Sequence, residues 1–164
     1  MAKIMDKIKS TVKNKIINTH INKTTDKEID KIVLNTDGGA RGNPGPAGIG
    51  IVVQDFKRKV LETYKRKIGK ATNNEAEYKA LIKGLELALN YTNGHVLCYL
   101  DSELVQRQAT KKYKVKAENI KPLFAQLKWV EGQFKKVEYK HVKRDDKYQQ
   151  KADKLVNDAL GKKK

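Results

Sequence analysis

The chain has 164 residues and one cysteine, so it is long enough to bury the core of one domain without disulfide bonds. Its 36 basic and 19 acidic residues give a formal net charge of +17, which favours a polyanionic partner. The sequence shows neither an apolar run of membrane-spanning length nor the apolar centre of a secretory signal, so we expect a cytoplasmic protein without a membrane span.

Residues 1–29 differ in composition from the rest of the chain. They contain many lysines but no glycine, proline or aromatic residue. Apolar residues recur at intervals of four from Ile4 to Ile16, which is the spacing of one face of a helix. We therefore predict a basic N-terminal extension, either an amphipathic helix or a disordered tail, ahead of a globular domain over residues 30–164.

From Lys31 onward the pattern is that of a globular α/β domain. Three apolar or alternating runs come first and predict an antiparallel meander. Alternating helix and strand patterns follow, and together they predict a mixed sheet covered by helices. In chain order the predicted strands are "KIVLNTD", "GIGIVVQD", "KVLETYKRKI", "HVLCYLD" and "FKKVEYKHV", and the predicted helices are "TNNEAEYKALIKGLELALNY", a segment from about Ser102, "AENIKPLFAQLKWVEGQ" and "QQKADKLVNDAL".

The stretch "NTDGGARGNPGPAGIG", residues 35–50, joins the first two predicted strands. Glycine lets another backbone approach closely and proline fixes φ, so this stretch predicts a shaped turn. It has neither of the glycine patterns that bind nucleotide phosphates, G-x-x-x-x-G-K-[ST] and G-x-G-x-x-G before a helix. On this stretch alone, a hairpin turn and a functional site both remain open.

Two predicted strands end in an aspartate, Asp37 in "KIVLNTD" and Asp101 in "HVLCYLD". Ligand sites in open α/β sheets lie at the carboxyl ends of the strands. An aspartate that begins a turn is the common alternative for either residue. The occurrence of both in a basic protein favours a site.

Two glutamates near the start of the first predicted helix differ in their expected surroundings. Thr72 and Glu75 fit a capping box, in which the glutamate side chain bonds the backbone N–H of the capping residue. Glu77 lies four residues before Leu81 and eight before Leu85, on the apolar face of the helix. A carboxylate on that face needs a partner, and the two nearby aspartates favour a divalent metal over a lysine.

The last predicted helix carries Asp153 at the margin of its apolar stripe, and His141 ends the strand before it. Taken singly, Asp153 is typical of a solvated helix charge and His141 of a turn residue. Four clustered acids repel one another without cations, and all-oxygen ligands suit Mg²⁺ or Mn²⁺. The set Asp37, Glu77, Asp101 and Asp153 therefore predicts a two-metal phosphoryl-transfer site.

Four motifs resemble, in their order and separation, those of ribonuclease H of the type 1 class: "TDGGARGNPGPAGIG", "TNNEAEYKALIKGLELAL", "YLDSELV" and "HVKRDDKYQQKADKLVNDAL". The resemblance covers roughly residues 31–160. It implies the ribonuclease H-like α/β fold, a five-stranded mixed sheet flanked by helices. It also implies that residues 30–164 form a catalytic domain that cleaves the RNA strand of RNA–DNA hybrids. The implied cofactors are two Mg²⁺ ions, for which Mn²⁺ can substitute, held by Asp37, Glu77, Asp101 and Asp153.

The resemblance further implies contacts with the groove and sugars of a hybrid, where 2′-hydroxyl groups distinguish RNA from DNA. These contacts fall on Gly38, Gly39, Asn43, Asn73 and Asn74.

Two residues near the C-terminus depart from the family pattern. Gln149 stands where the family usually has asparagine, four residues before Asp153, and we expect it to join the substrate contacts. His141 is implied to assist proton movement or product release, although its interval to Asp153 is two residues longer than usual in the family.

The basic protrusion that some family members insert after the second helix is missing. We expect its charge to be replaced by the N-terminal extension and by Lys111, Lys112, Lys114 and Lys116. We also expect a monomer. The alternative function is a catalytically inactive, hybrid-binding module of the same fold, which would have little reason to keep all four acids.

Overall fold

The computed structural model describes residues 30–162, so the predictions for residues 1–29 lie outside the described part of the chain. Within it, strands and helices follow one another in the predicted order. They are β1 (Lys31–Ala40), β2 (Gly45–Asp55), β3 (Val60–Ala71), α1 (Asn73–Ala88), β4 (His95–Leu100), α2 (Glu103–Ala109), α3 (Lys121–Glu131), β5 (Lys136–His141) and α4 (Lys147–Leu160).

The five strands form one mixed sheet in the order β3-β2-β1-β4-β5. The β1–β2 and β2–β3 pairs are antiparallel, and the β1–β4 and β4–β5 pairs are parallel. This arrangement confirms the predicted five-stranded mixed sheet. Because β1, β4 and β5 run in the same direction, their carboxyl ends meet at one edge.

The glycine-rich stretch is mostly strand, so the predicted shaped turn occupies only a small part of it. β1 continues to Ala40 and β2 begins at Gly45, so the connection is a short turn over residues 41–44. Glycine is required at strand positions 38 and 50 because helices pack directly against the backbone there. A Cβ at Gly38 would lie 2.2 Å from the carbonyl oxygen of Ala76 in α1. The stretch therefore forms a β-hairpin, which was one of the two interpretations left open.

Helices cover both faces of the sheet. Successive residues of β1 point to opposite faces, so Leu34 faces α1 whereas Asn35 faces α4. The main core lies between the sheet and helices α1 and α3. The predicted apolar face of α1 is buried, with at most 1% exposure at Ala80, Leu81, Leu85, Ala88 and Leu89.

The starts of two helices differ from the sequence prediction by two residues or more. α3 begins at Lys121, with a proline in its first turn, and the residues from Ala117 to Ile120 form turns before it. α4 begins two residues earlier than predicted, because Asp146 accepts hydrogen bonds from the backbone N–H groups of Tyr148 and Gln149. Among residues 30–162, we find no helix that is both long and apolar enough to cross a membrane.

Candidate active site

Three acids meet at the carboxyl edge of the parallel strands. Asp37 lies on β1, Asp101 follows β4 directly, and Glu77 lies on α1. Each offers a carboxylate oxygen, and these oxygens all lie within 4.8 Å of one another. They line an open cleft of about 440 Å³. The structure thus brings together three of the four predicted carboxylates as a compact group.

The cap of α1 aims Glu77 into the cleft. Thr72 Oγ1 accepts a hydrogen bond from the Glu75 backbone N–H (3.1 Å), and Glu75 Oε1 accepts one from the Thr72 backbone N–H (2.9 Å). These two bonds form the predicted capping box and fix the first turn of the helix. Because Gly38 has no side chain, α1 packs close to β1 and brings Glu77 beside Asp37.

Burial and mutual repulsion raise the pKa of every acid in this group. Burial, followed by the charges of Asp101 and Asp153, raises the pKa of Asp37 to about 8. Burial and the charges of Asp37 and Asp101 raise the pKa of Glu77 well above its usual range. Burial also raises the pKa of Asp101, although the nearby Arg144 guanidinium opposes this shift.

The donor set fits a divalent cation. Glu77 Oε2 is shielded from solvent and has no hydrogen-bond partner among the described residues. A buried carboxylate oxygen without a donor is unfavourable unless a cation binds it. The three carboxylates provide the oxygen ligands that Mg²⁺ and Mn²⁺ prefer, and a cation between them would offset their repulsion.

Asp153 lies at the rim of the same cleft. It is exposed on α4 and lines the cleft, but it is not part of the group of oxygens within 4.8 Å. Its charge contributes to the raised pKa of Asp37, so the two carboxylates are close. The fourth predicted acid is therefore adjacent to the other three and more accessible to solvent.

Two basic residues stand beside Asp101. His141 is exposed, and its Nε2 lies 3.1 Å from the backbone carbonyl oxygen of Asp101. Arg144 Nε lies 3.6 Å from Asp101 Oδ2, with 92% of the arginine side chain exposed. The sequence patterns did not identify Arg144, because it lies in a loop, where no helix or strand periodicity applies. Its place in the loop between β5 and α4, close to His141, is the signal that could have identified it.

Two of the asparagines predicted to contact substrate, Asn43 and Asn73, lie in or next to the turn at residues 41–44. Asn73 Oδ1 accepts a hydrogen bond from the Ala40 backbone N–H, and Asn43 Oδ1 accepts one from the Asn73 backbone N–H, both at 2.9 Å. These bonds tie the turn to the start of α1. Asn73 and Asn74 line the cleft, as do Gly38 and Gly39.

Gln149 is placed differently from the sequence expectation. It is only 1% exposed, and its side chain bonds Asn35 and the backbone carbonyl oxygen of Thr36. A side chain so enclosed presents no surface to a substrate, which disagrees with the expected contact. Sequence patterns also did not identify Arg41, which lines the cleft and donates a hydrogen bond to the Leu160 carbonyl oxygen.

A basic surface follows α2, which begins beside Asp101. We call residues 110–116 the lysine-rich segment. All four of its lysines are exposed, and Tyr113 is 47% exposed. α2 has seven residues and is therefore about 10 Å long, so the segment begins about one short helix away from Asp101.

The fold and the site together define an α/β protein with a cluster of carboxylates that could hold a cation and with a basic flank. A sequence profile of the family described as "Reverse transcriptase-like" matches residues 35–159. A ribonuclease HI of Halobacterium salinarum is 34% identical over 124 residues, which are 76% of this chain and 61% of that protein. A bifunctional protein of Mycobacterium tuberculosis is 41% identical over 131 residues, 79% of this chain but only 35% of that protein.

Solved structures show the same relationship. The N-terminal RNase H domain of the Mycobacterium tuberculosis protein has a TM-score of 0.75 at 41% identity, covering 79% of this chain and 93% of that one. RNase H1 of Halobacterium salinarum has a TM-score of 0.75 at 32% identity, with coverage of 79% and 97%. LC11-RNase H1 in complex with an RNA/DNA hybrid has a TM-score of 0.73 at 41% identity, with coverage of 79% and 96%. The chain belongs to the ribonuclease H family.

Proposed function

We propose that the chain is an endoribonuclease that cleaves the RNA strand of RNA–DNA hybrids. The observation that carries this proposal is the group of Asp37, Glu77 and Asp101, whose oxygens lie within 4.8 Å in the open cleft of a ribonuclease H fold. The hybrid bound to the related LC11-RNase H1 supports the choice of substrate. The net charge of +17 suits a nucleic-acid duplex.

Asp37, Glu77 and Asp101, with Asp153 at the rim, would hold two Mg²⁺ ions, for which Mn²⁺ can substitute. The chemistry that bound ions would supply there is activation of a water for attack on the phosphate and stabilisation of the charge on the leaving 3′-oxygen. Hydrolysis in this sense leaves 5′-phosphate and 3′-hydroxyl ends.

The other cleft residues have supporting roles. His141 would assist proton movement or product release at the edge of the cleft, and its contact with the Asp101 backbone supports this role. Arg144 offers an exposed guanidinium beside Asp101 and can pair with a substrate phosphate. Asn74 and the backbone of Gly39 face the cleft, where they can contact the sugars of the RNA strand.

The acids argue against the inactive, hybrid-binding alternative. Crowded and buried carboxylates destabilise the metal-free fold, as the raised pKa values of Asp37 and Glu77 indicate. A protein that only binds hybrids gains nothing from this cost, since phosphate contacts supply the affinity. Cation binding for hydrolysis would explain why these acids are clustered despite this cost.

The test is a cleavage assay with end-labelled RNA–DNA hybrid, double-stranded RNA and double-stranded DNA of one sequence. Each is incubated with Mg²⁺, with Mn²⁺ and with a chelator. We expect cleavage of the hybrid RNA strand with either metal, 5′-phosphate products and no reaction with the chelator. Hybrid binding without cleavage under every metal condition would instead support the inactive module.

A further inference from the structure

A chain of buried side-chain amides connects β2, β1 and α4. Gln54 Nε2 donates to Asn35 Oδ1 (2.8 Å), and Asn35 Nδ2 donates to Gln149 Oε1 (3.1 Å). Gln149 Nε2 in turn donates to the Thr36 carbonyl oxygen (2.8 Å). Asn35 and Gln54 are fully buried, and Gln149 is 1% exposed. We call Asn35, Gln54 and Gln149 the amide chain.

Arg58 closes the outer end of the amide chain. Its Nε donates to Gln54 Oε1 (2.5 Å) and its Nη2 to Asn35 Oδ1 (3.2 Å). Its guanidinium carbon lies 4.1 Å from the centre of the Tyr148 ring, and Tyr148 Oη donates to the Arg58 carbonyl oxygen. The turn between β2 and β3 is thus bound to the first turn of α4.

The amide chain lies next to two of the cleft acids. Asn35 precedes Asp37 by two residues on β1, so both side chains point to the same face of the sheet. Gln149 precedes Asp153 by four residues on α4, so both lie on the same side of the helix. The Asn35–Gln149 hydrogen bond therefore connects the two elements that carry Asp37 and Asp153.

Close packing against β2 fixes the position of α4 and therefore that of Asp153, which lies on this helix. Gly50 lies opposite Asp37 in the β1–β2 pair, and a Cβ there would be 2.3 Å from the Ala152 carbonyl oxygen. The helix thus rests directly on the strand backbone. The Asp153 carboxylate accepts a long bond of 3.4 Å from Asn157 of the same helix, so its position follows that of α4.

We propose that the amide chain, closed by Arg58, positions Asp153 relative to Asp37. In this proposal Gln149 supports the cation site indirectly, by fixing the seating of α4, and does not contact the substrate. Buried amides are costly unless all their partners are in place, so they favour one seating of the helix. The glutamine reaches Asn35 and the Thr36 carbonyl oxygen at once, which a shorter asparagine could not do from the same backbone position. This inference rests on the proposed function insofar as the cleft binds divalent cations.

The test compares Gln149→Leu, which keeps the side-chain volume, with Gln149→Asn and with Val130→Ala. Val130 is a fully buried residue of α3 outside the cleft and controls for a general loss of stability. Mn²⁺ and Mg²⁺ binding is measured by calorimetry on the full chain, and thermal melts are recorded without metal. Loss of a residue that orients metal ligands typically weakens metal binding 10- to 100-fold. We expect about tenfold weaker Mn²⁺ binding for both Gln149 variants and wild-type binding for Val130→Ala at a comparable fall in melting temperature.

Arg58→Lys serves as a second variant, because it changes the outer end of the amide chain and leaves the buried amides present. We expect it to stay folded and to weaken Mn²⁺ binding by roughly threefold, less than loss of an orienting residue itself. Wild-type cation affinity in the folded Gln149 variants, or in Arg58→Lys if those do not fold, would overturn the proposal. Cation binding without hybrid cleavage by the wild-type chain would refute the proposed function alone, whereas no cation binding would refute both.

Discussion

The acidic cleft and the lysine-rich segment are separated by one short helix, and they differ in the sign of their charges and in their exposure to solvent. The cleft holds a group of acidic side chains, of which Asp37 is only 6% exposed. The segment holds positive side chains that are exposed to solvent. Burial of charge without a partner destabilises a fold, whereas exposed charge costs little. We therefore expect mutations in the cleft to change the rate of hybrid cleavage, and mutations in the segment to change the affinity for the hybrid.

The same contrast occurs within the first turns of α1. Hydrogen bonds from the Thr72 backbone and hydroxyl hold the pKa of Glu75 below its usual value, although the side chain is accessible. Burial and neighbouring acids raise the pKa of Glu77, only two residues further on. Glu75 thus stabilises the start of the helix, whereas Glu77 belongs to the group of buried acids in the cleft.

The largest expected effect separates these two glutamates. Glu77→Gln removes a cation ligand, and we expect hybrid cleavage to fall by at least about a hundredfold, since a metal ligand supports several kcal/mol of transition-state stabilisation. Glu75→Gln should retain most activity and lose at most about 1 kcal/mol of stability, because glutamine can still complete a capping box. Single-turnover cleavage rates and thermal melts of both variants provide the measurement. Equal loss of activity in the two would show that the contrast is wrong.

The next effect concerns the cost of the acidic cluster itself. The pKa of Asp37 is about 8 in the fold against 3.8 for a free side chain, so the folded state retains a proton that the unfolded state releases. The stability of the metal-free protein should therefore fall as the pH rises from about 4 to 8. Asp37→Asn removes this penalty and should stabilise the metal-free protein by about 1–2 kcal/mol near pH 8, and by much less near pH 4.

Thermal melts with a chelator, recorded across this pH range, measure the difference between the two proteins. Added Mg²⁺ should reverse its sign, because the wild-type cleft gains a bound cation that the variant binds poorly. A pH-independent difference would contradict the assignment of repulsion to the cluster.

A smaller effect is expected in the lysine-rich segment. The double variant Lys112→Gln with Lys114→Gln should weaken hybrid binding several-fold. The slope of log K against log salt concentration should become shallower by up to roughly 0.9 for each phosphate that is no longer neutralised. The matched control is Lys57→Gln with Lys59→Gln, in the turn beyond Asp55 at the sheet edge opposite the cleft. Filter binding at several salt concentrations distinguishes the two, and turnover at saturating hybrid should be unchanged in both. Equal salt slopes for the two double variants would remove the segment from the substrate surface.

The smallest expected effect tests the N-terminal extension. If its lysines contact phosphates, deletion of residues 1–29 should reduce the salt slope of hybrid binding and leave turnover at saturation nearly unchanged. If instead its apolar stripe docks on the domain, the melting temperature should fall while the salt slope stays the same. Affinity and thermal melts of the two chain lengths separate these cases, and no change in either would mean that the extension has neither role.

Local patterns predicted those parts of the site that depend on neighbours in sequence. The spacing of Thr72 and Glu75 identified the cap, and the distance of Glu77 from Leu81 placed it on the inward face. The ends of two apolar runs located Asp37 and Asp101 at one edge. In each case a few consecutive residues determine the geometry, so the periodicity of a helix or strand is sufficient.

Features that depend on tertiary packing were not predictable in this way. The glycines of β1 and β2 suggested a loop, but they are strand positions required by close helix packing, as at Gly38. Gln149 occupies a position that the family motif assigns to a substrate contact, yet its partners are 113 and 114 residues away and hold it inside the protein. Arg144 approaches Asp101 only because β4 and β5 are neighbours in the sheet.

The most direct test of the central claim is to measure hybrid cleavage and hybrid affinity in parallel for the wild-type chain and Asp101→Asn. In the proposed function Asp101 supplies an oxygen to the cation site, whereas contacts with phosphates supply most of the affinity. We predict that the single-turnover rate in Mg²⁺ falls by at least about a hundredfold while the dissociation constant measured before metal is added stays within about threefold. Cleavage by Asp101→Asn at a rate near that of the wild-type chain would contradict the assignment of the cleft as the active site.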